Sequence, residues 1–71
     1  MSYLTKDKRY VVIEHYTGTE DTRAKLTAEG FAFTEQNFFN SFWGVRFTVE
    51  WPRGKGAMTR RDRLQQIAEG K

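Results

Sequence analysis

A chain of 71 residues holds one domain with a thin core, because at this length folding buries only about 60% of the surface of the unfolded chain. It has no cysteine and a single histidine, His15, which excludes disulfides and leaves no ligand set for a zinc or iron site. The net charge is +3, and no window approaches the run of about 20 apolar residues that a membrane span requires.

The charge is unevenly placed. Residues 1–9 carry +2, residues 10–52 carry −3 and residues 53–71 carry +4. A mildly acidic body between two basic ends suggests an anionic partner approached from one side. The opening MSYLTKDKRY has no apolar core of the secretory type, so a cytoplasmic location is expected. Residues 1–7 are expected to lack regular structure.

Residues 8–16, KRYVVIEHY, are β-branched and aromatic and read as a strand. Val11 and Ile13 share one face; Tyr10, Val12, Glu14 and Tyr16 share the other. Thr19-Glu20-Asp21-Thr22 opens a helix, with a threonine able to cap it and two acids at the positive end of its dipole. Gly30 is placed to end it. The helix has little apolar content beyond Leu26, and Ala24 and Ala28 are expected on its inner side.

All six phenylalanines and both tryptophans fall within residues 31–51. Phe31-Ala32-Phe33-Thr34 begins a second strand, and Val45, Phe47, Val49 and Trp51 alternate with Arg46, Thr48 and Glu50 as a third. Pro52 ends that ladder, having no N–H. Residues 34–43 admit two readings. In one, the strand extends to about Phe38, turns at Asn-Ser and returns near Phe42. In the other, Thr34 caps a short helix with Phe38, Phe39, Phe42 and Trp43 on one side and Gly44 at its end. Phe and Asn form helices weakly, which favours the hairpin.

Arg53-Gly54-Lys55-Gly56 is a flexible basic loop. Thr59-Arg60-Arg61-Asp62 matches a capping box, which starts the last helix at Thr59, with Leu64, Ile67 and Ala68 as its apolar stripe. The expected fold is therefore α+β: a small β-α-β-β-α domain with a three-stranded antiparallel or mixed sheet and two helices on one face. Strands one and two should be parallel with strand three between them. The other sheet face stays open, which makes a homodimer plausible.

Two surfaces carry functional expectations. The first is the loop and helix start with Arg53, Lys55, Arg60, Arg61 and Arg63. Glycines and free N–H groups at a helix start let a backbone approach a phosphate. Arginines in a first helical turn oppose the dipole by some tenths of a kcal/mol each, a cost that anion binding would offset. The spacing is not that of a Walker A loop. The second is the aromatic set Phe38, Phe39, Phe42 and Trp43; beside Arg46, such rings suit base stacking or a protein partner. Tyr3, Tyr10, Tyr16 and Trp43 should reach the surface, while Phe31, Phe33, Val45, Phe47, Val49 and Trp51 are needed inside. The signature of the RNA recognition motif would fall on residues 44–49 but fails at two glycine and aromatic positions, and a three-stranded sheet falls one strand short of that motif.

No nucleophile motif or base–orienter pair can be assembled, so no catalysis, cofactor or metal is expected. The chain reads as a binding module for nucleic acid or another phosphate-rich partner. The alternative is a protein-binding adaptor or inhibitor, of the kind phage accessory proteins supply against a host nucleic-acid enzyme.

Overall fold

The computed structural model describes residues 2–70. Its elements run β1 (Ser2–Leu4), β2 (Tyr10–His15), α1 (Thr19–Ala28), β3 (Phe33–Asn40), β4 (Phe42–Glu50) and α2 (Ala57–Ala68). The strands form one antiparallel sheet in the order β1-β2-β4-β3. Because β2 and β3 each run antiparallel to β4, they are parallel to one another with β4 between them, the expected crossover arrangement.

The sheet has four strands rather than the expected three. Residues 2–4 pair with Val11–Ile13 across a tight turn. In that turn Asp7 accepts from the Thr5 hydroxyl (2.6 Å) and the Arg9 N–H (3.1 Å), while Lys8 N–H donates to Thr5 O (2.9 Å). The turn chemistry is local, but an extra strand becomes worthwhile only once β2 offers a free edge, which a reading of isolated segments does not register.

Residues 34–43 form the hairpin and not the short helix. Phe38 pairs with Gly44, Phe39 with Trp43 and Asn40 with Phe42 around Ser41, whose φ of 65° lies in the left-handed region. A side chain at Gly44 would meet the Phe38 ring at 2.8 Å and the His15 carbonyl oxygen at 2.9 Å. The missing Cβ is thus the space the Phe38 ring occupies.

One face of the sheet supports both helices. Val11 and Ile13 of β2, Phe47 and Val49 of β4, Leu26 of α1, Leu64, Ile67 and Ala68 of α2, and Phe31 form the core, with Phe33, Val45 and Trp51 packed against it. Phe47, Ile13, Leu26, Leu64, Ile67 and Val49 are fully buried. Burial of this apolar set is the main stabilising term in so small a domain.

α1 opens at Thr19 as expected, but neither helix is capped by a side chain and α2 starts earlier than expected. Each begins directly after a glycine in the left-handed conformation, Gly18 or Gly56, with no side-chain cap. α2 therefore starts at Ala57, two residues before Thr59, because burying Ala57 extends the helix toward the core. α1 turns Thr22 and Leu26 inward and leaves Ala24 and Ala28 exposed. Thr22 Oγ1 lies 2.9 Å from His15 Nδ1 and 3.3 Å from Gly18 O. Nδ1–H donating to the hydroxyl, and the hydroxyl donating to the carbonyl, satisfies all three groups. The end of α1 is as expected. Gly30 (φ 75°) donates to Thr27 O and Phe31 N–H donates to Leu26 O, the two bonds of a Schellman motif that delivers Phe31 onto Leu26 in the core.

Candidate nucleic-acid interface

The antiparallel pairing of β2 with β4 places the start of β2 beside the end of β4, with Tyr10 opposite Glu50. One residue further out, Trp51 N–H donates to Arg9 O at 2.8 Å. The turn holding Lys6, Lys8 and Arg9 therefore lies at the same end of the sheet as the loop holding Arg53 and Lys55. All five side chains are exposed. Lys6, Lys8, Arg53 and Lys55 make no ion pair or side-chain hydrogen bond among the described residues. The acid in their midst, Asp7, is held within its own turn. The Thr5 hydroxyl, and then the Arg9 N–H, bind its carboxylate and lower its pKa below the usual range. An open groove of about 350 Å³ crosses this end between Phe31, Trp51, Arg53, Lys55 and Arg60.

The three helix arginines divide from Arg53 and Lys55. Arg61 Nε donates to Pro52 O at 2.7 Å, with its guanidinium 5.1 Å from the Trp51 ring centre, so it fastens the loop to the helix. Arg63 pairs with Glu29 at 3.2 Å and lies within 3.4 Å of Gln66 Oε1. Arg60 stacks over Phe31 at 4.2 Å and donates to Glu29 O at 3.0 Å, and its exposed side chain lines the groove. With the helix starting at Ala57, Arg61 and Arg63 lie beyond the first turn. The electrostatic cost expected of three arginines at the positive end of a dipole is thereby mostly removed.

The aromatic set lies at the opposite end of the sheet. The hairpin tip presents Phe39, Phe42 and Trp43 at 62%, 71% and 70% exposure, against complete burial of Phe47 four residues on. Phe39 and Trp43 meet edge to face at 5.3 Å, on the helix side but past the helix layer. On the open face Phe38 and Phe42 flank Tyr16 at 5.5 and 6.4 Å, and Arg46 sits 5.0 Å over Phe38 while bound to Glu14 at 2.7 Å. Tyr3, Tyr10 and Tyr16 are exposed as expected. Val12 is buried although it lies on this face, with Tyr3 directly across from it.

Elsewhere Arg23 clamps Glu35 through two bonds of 2.8 Å, which lowers the Glu35 pKa and raises that of Arg23. Among the described residues no group of acids and His15 could hold a metal ion, and no helix is long and apolar enough to cross a membrane.

Lys6, Lys8 and Arg9 join the candidate surface, and reasoning from separate segments left them out. The signal was present in Tyr3-Leu4 ahead of an Asp-containing turn, which reads as a hairpin once β2 is given a partner. Comparison with protein-family models, curated proteins and solved structures finds no match.

Proposed function

We propose that this protein is a small non-catalytic binding module whose basic end engages the phosphate backbone of nucleic acid. The observation that carries the reading is the Arg9–Trp51 backbone bond, which gathers cations from both basic segments of the chain at one end of the sheet. Phosphate contacts from exposed lysines and arginines give sequence-independent affinity that falls with salt. Arg53, Lys55, Lys6, Lys8 and the exposed Arg60 supply those contacts. Arg61 and Arg63 hold the loop and helix that present them.

The test is fluorescence anisotropy with labelled single-stranded DNA, single-stranded RNA and duplex DNA across a salt series. For a single strand, log affinity should fall with log salt at a slope near −3 if about four phosphates are neutralised. Absence of binding to all three probes at about 50 mM salt overturns the reading.

The exposure of Phe39, Phe42 and Trp43 at the opposite end favours a second reading, in which the hairpin tip docks into a protein partner as an adaptor or inhibitor. Exposed aromatic anchors of this kind dominate protein interfaces. A stoichiometric complex recovered from nuclease-treated lysate, and lost on replacing Phe42 and Trp43 with serine, would select it over the first.

A further inference from the structure

The two edges of the sheet are treated differently. β1 is only three residues long, which is one of the ways proteins blunt an edge. β3 is an eight-residue edge, paired with β4 without interruption from Phe33 to Asn40. It contains no proline, no lysine and no bulge, and its one charged side chain, Glu35, is paired with Arg23. Such an edge is a template for another strand.

The phase of its free groups follows from one bond. Glu50 N–H donates to Ala32 O at 3.0 Å, which makes 32/50 a hydrogen-bonded pair. Alternation along an antiparallel ladder then directs the even-numbered residues of β3 at β4 and turns the N–H and C=O of Phe33, Glu35, Asn37 and Phe39 outward.

We propose that β3 pairs antiparallel with β3 of a second copy of this chain, about a two-fold axis through Gln36, to make a continuous eight-stranded sheet. In this register Phe33 lies opposite the partner's Phe39, and Glu35 opposite the partner's Asn37. The reciprocal positions repeat these contacts, so all four outward residues of each copy exchange both backbone bonds. Face matches face. The 62%-exposed Phe39 gains the partner's half-buried Phe33 as a cross-strand neighbour, and Phe38 on the open side gains the partner's Thr34. No like charges lie directly opposite one another; the two Glu35 side chains are diagonal neighbours, each paired with its own Arg23. The antiparallel arrangement also sends the two basic ends to opposite corners of the dimer. The loop after β4, with Arg53 and Lys55, then lies at the same end of the dimer as the other copy's hairpin tip and the Glu20–Asp21 end of α1, a complementary placement for two chains of net charge +3, while the Lys6–Lys8 turn stays at the outer edge of the sheet. This inference uses a surface separate from the basic end and stands independently of the nucleic-acid reading.

Sedimentation equilibrium on the full chain tests it, with circular dichroism confirming that each variant folds. The wild type should reach twice the monomer mass in the range from about 1 to 500 μM, as expected of a small interface. Asn37→Pro removes only an outward N–H, which an edge strand tolerates, and should give a folded monomer. Asn37→Glu sets a carboxylate opposite the partner's Glu35 at two symmetric contacts and should weaken dimerisation roughly tenfold. Asn37→Lys should tighten it. A wild type that stays monomeric overturns the proposal and leaves the edge to water or to a strand of another protein. A dimer indifferent to all three substitutions assigns the interface elsewhere. Weakening by both Glu and Lys overturns the register.

Discussion

Gly44 shows how far a single methyl group reaches in this domain. A Cβ there would stand 2.8 Å from the Phe38 ring and 2.9 Å from the His15 carbonyl oxygen. The ring can swing away, but the carbonyl belongs to the central strand pair and cannot. Gly44→Ala should therefore cost about 1–3 kcal/mol, the usual range for overpacking. That is a large share of a total stability of roughly 4–10 kcal/mol for a chain of this size. Urea unfolding measures the loss, and the ring proton shifts of Phe38 should report its displacement from Tyr16 and Arg46. The residue identities did not reveal this role. Gly44 reads equally well as a helix stop or a strand residue, and only the cross-strand register shows which ring needs its space.

At the scale of elements, α2 and the loop before it divide one run of basic residues between structural support and the surface proposed to bind. Arg61 is half-buried, bonded to Pro52 O and stacked on Trp51. Arg61→Ala should lower stability by about 1–2 kcal/mol, seen as a lower midpoint in thermal unfolding. Arg61→Lys should recover little of it, since a lysine cannot reproduce the planar stack. Arg53→Ala with Lys55→Ala should leave the thermal midpoint unchanged and lower nucleic-acid affinity at every sequence. Periodicity made most elements legible. Alternation marked β2 and β4, and the spacing of Leu64, Ile67 and Ala68 marked the inner face of α2. The start of α2 was less legible, because burial of Ala57 and the left-handed Gly56 decide it rather than the Thr59 capping box.

For the whole molecule the governing property is polarity along the sheet, with cations at one end and exposed aromatics at the other. The N-terminal turn and the 53–56 loop are more than 40 residues apart in the chain yet adjoin at one end. Reversing Lys6 and Lys8 to glutamate should therefore weaken nucleic-acid binding and flatten its salt dependence as much as reversing Arg53 and Lys55. Lys25→Glu, a charge change on α1 where Lys25 is paired with Asp21, should have a smaller effect. Parallel anisotropy titrations at matched salt decide the comparison.

The amino-acid sequence by itself determined the α+β class, the crossover with β4 at its centre, the inward residues of the strands and α2, and the separation of basic segments from the aromatic stretch. These follow from local rules: alternation, helical spacing, a proline without an N–H and a glycine that ends a helix. Tertiary structure decided the fourth strand, the choice of hairpin over helix at residues 34–43, the structural use of Arg61 and Arg63, and the meeting of the two basic segments. The physical reason is common to all four. Each depends on a contact between segments rather than on the pattern within one: a free edge on β2, a packing site for Phe38 over Gly44, Pro52 and Glu29 as acceptors, and Trp51 beside Arg9.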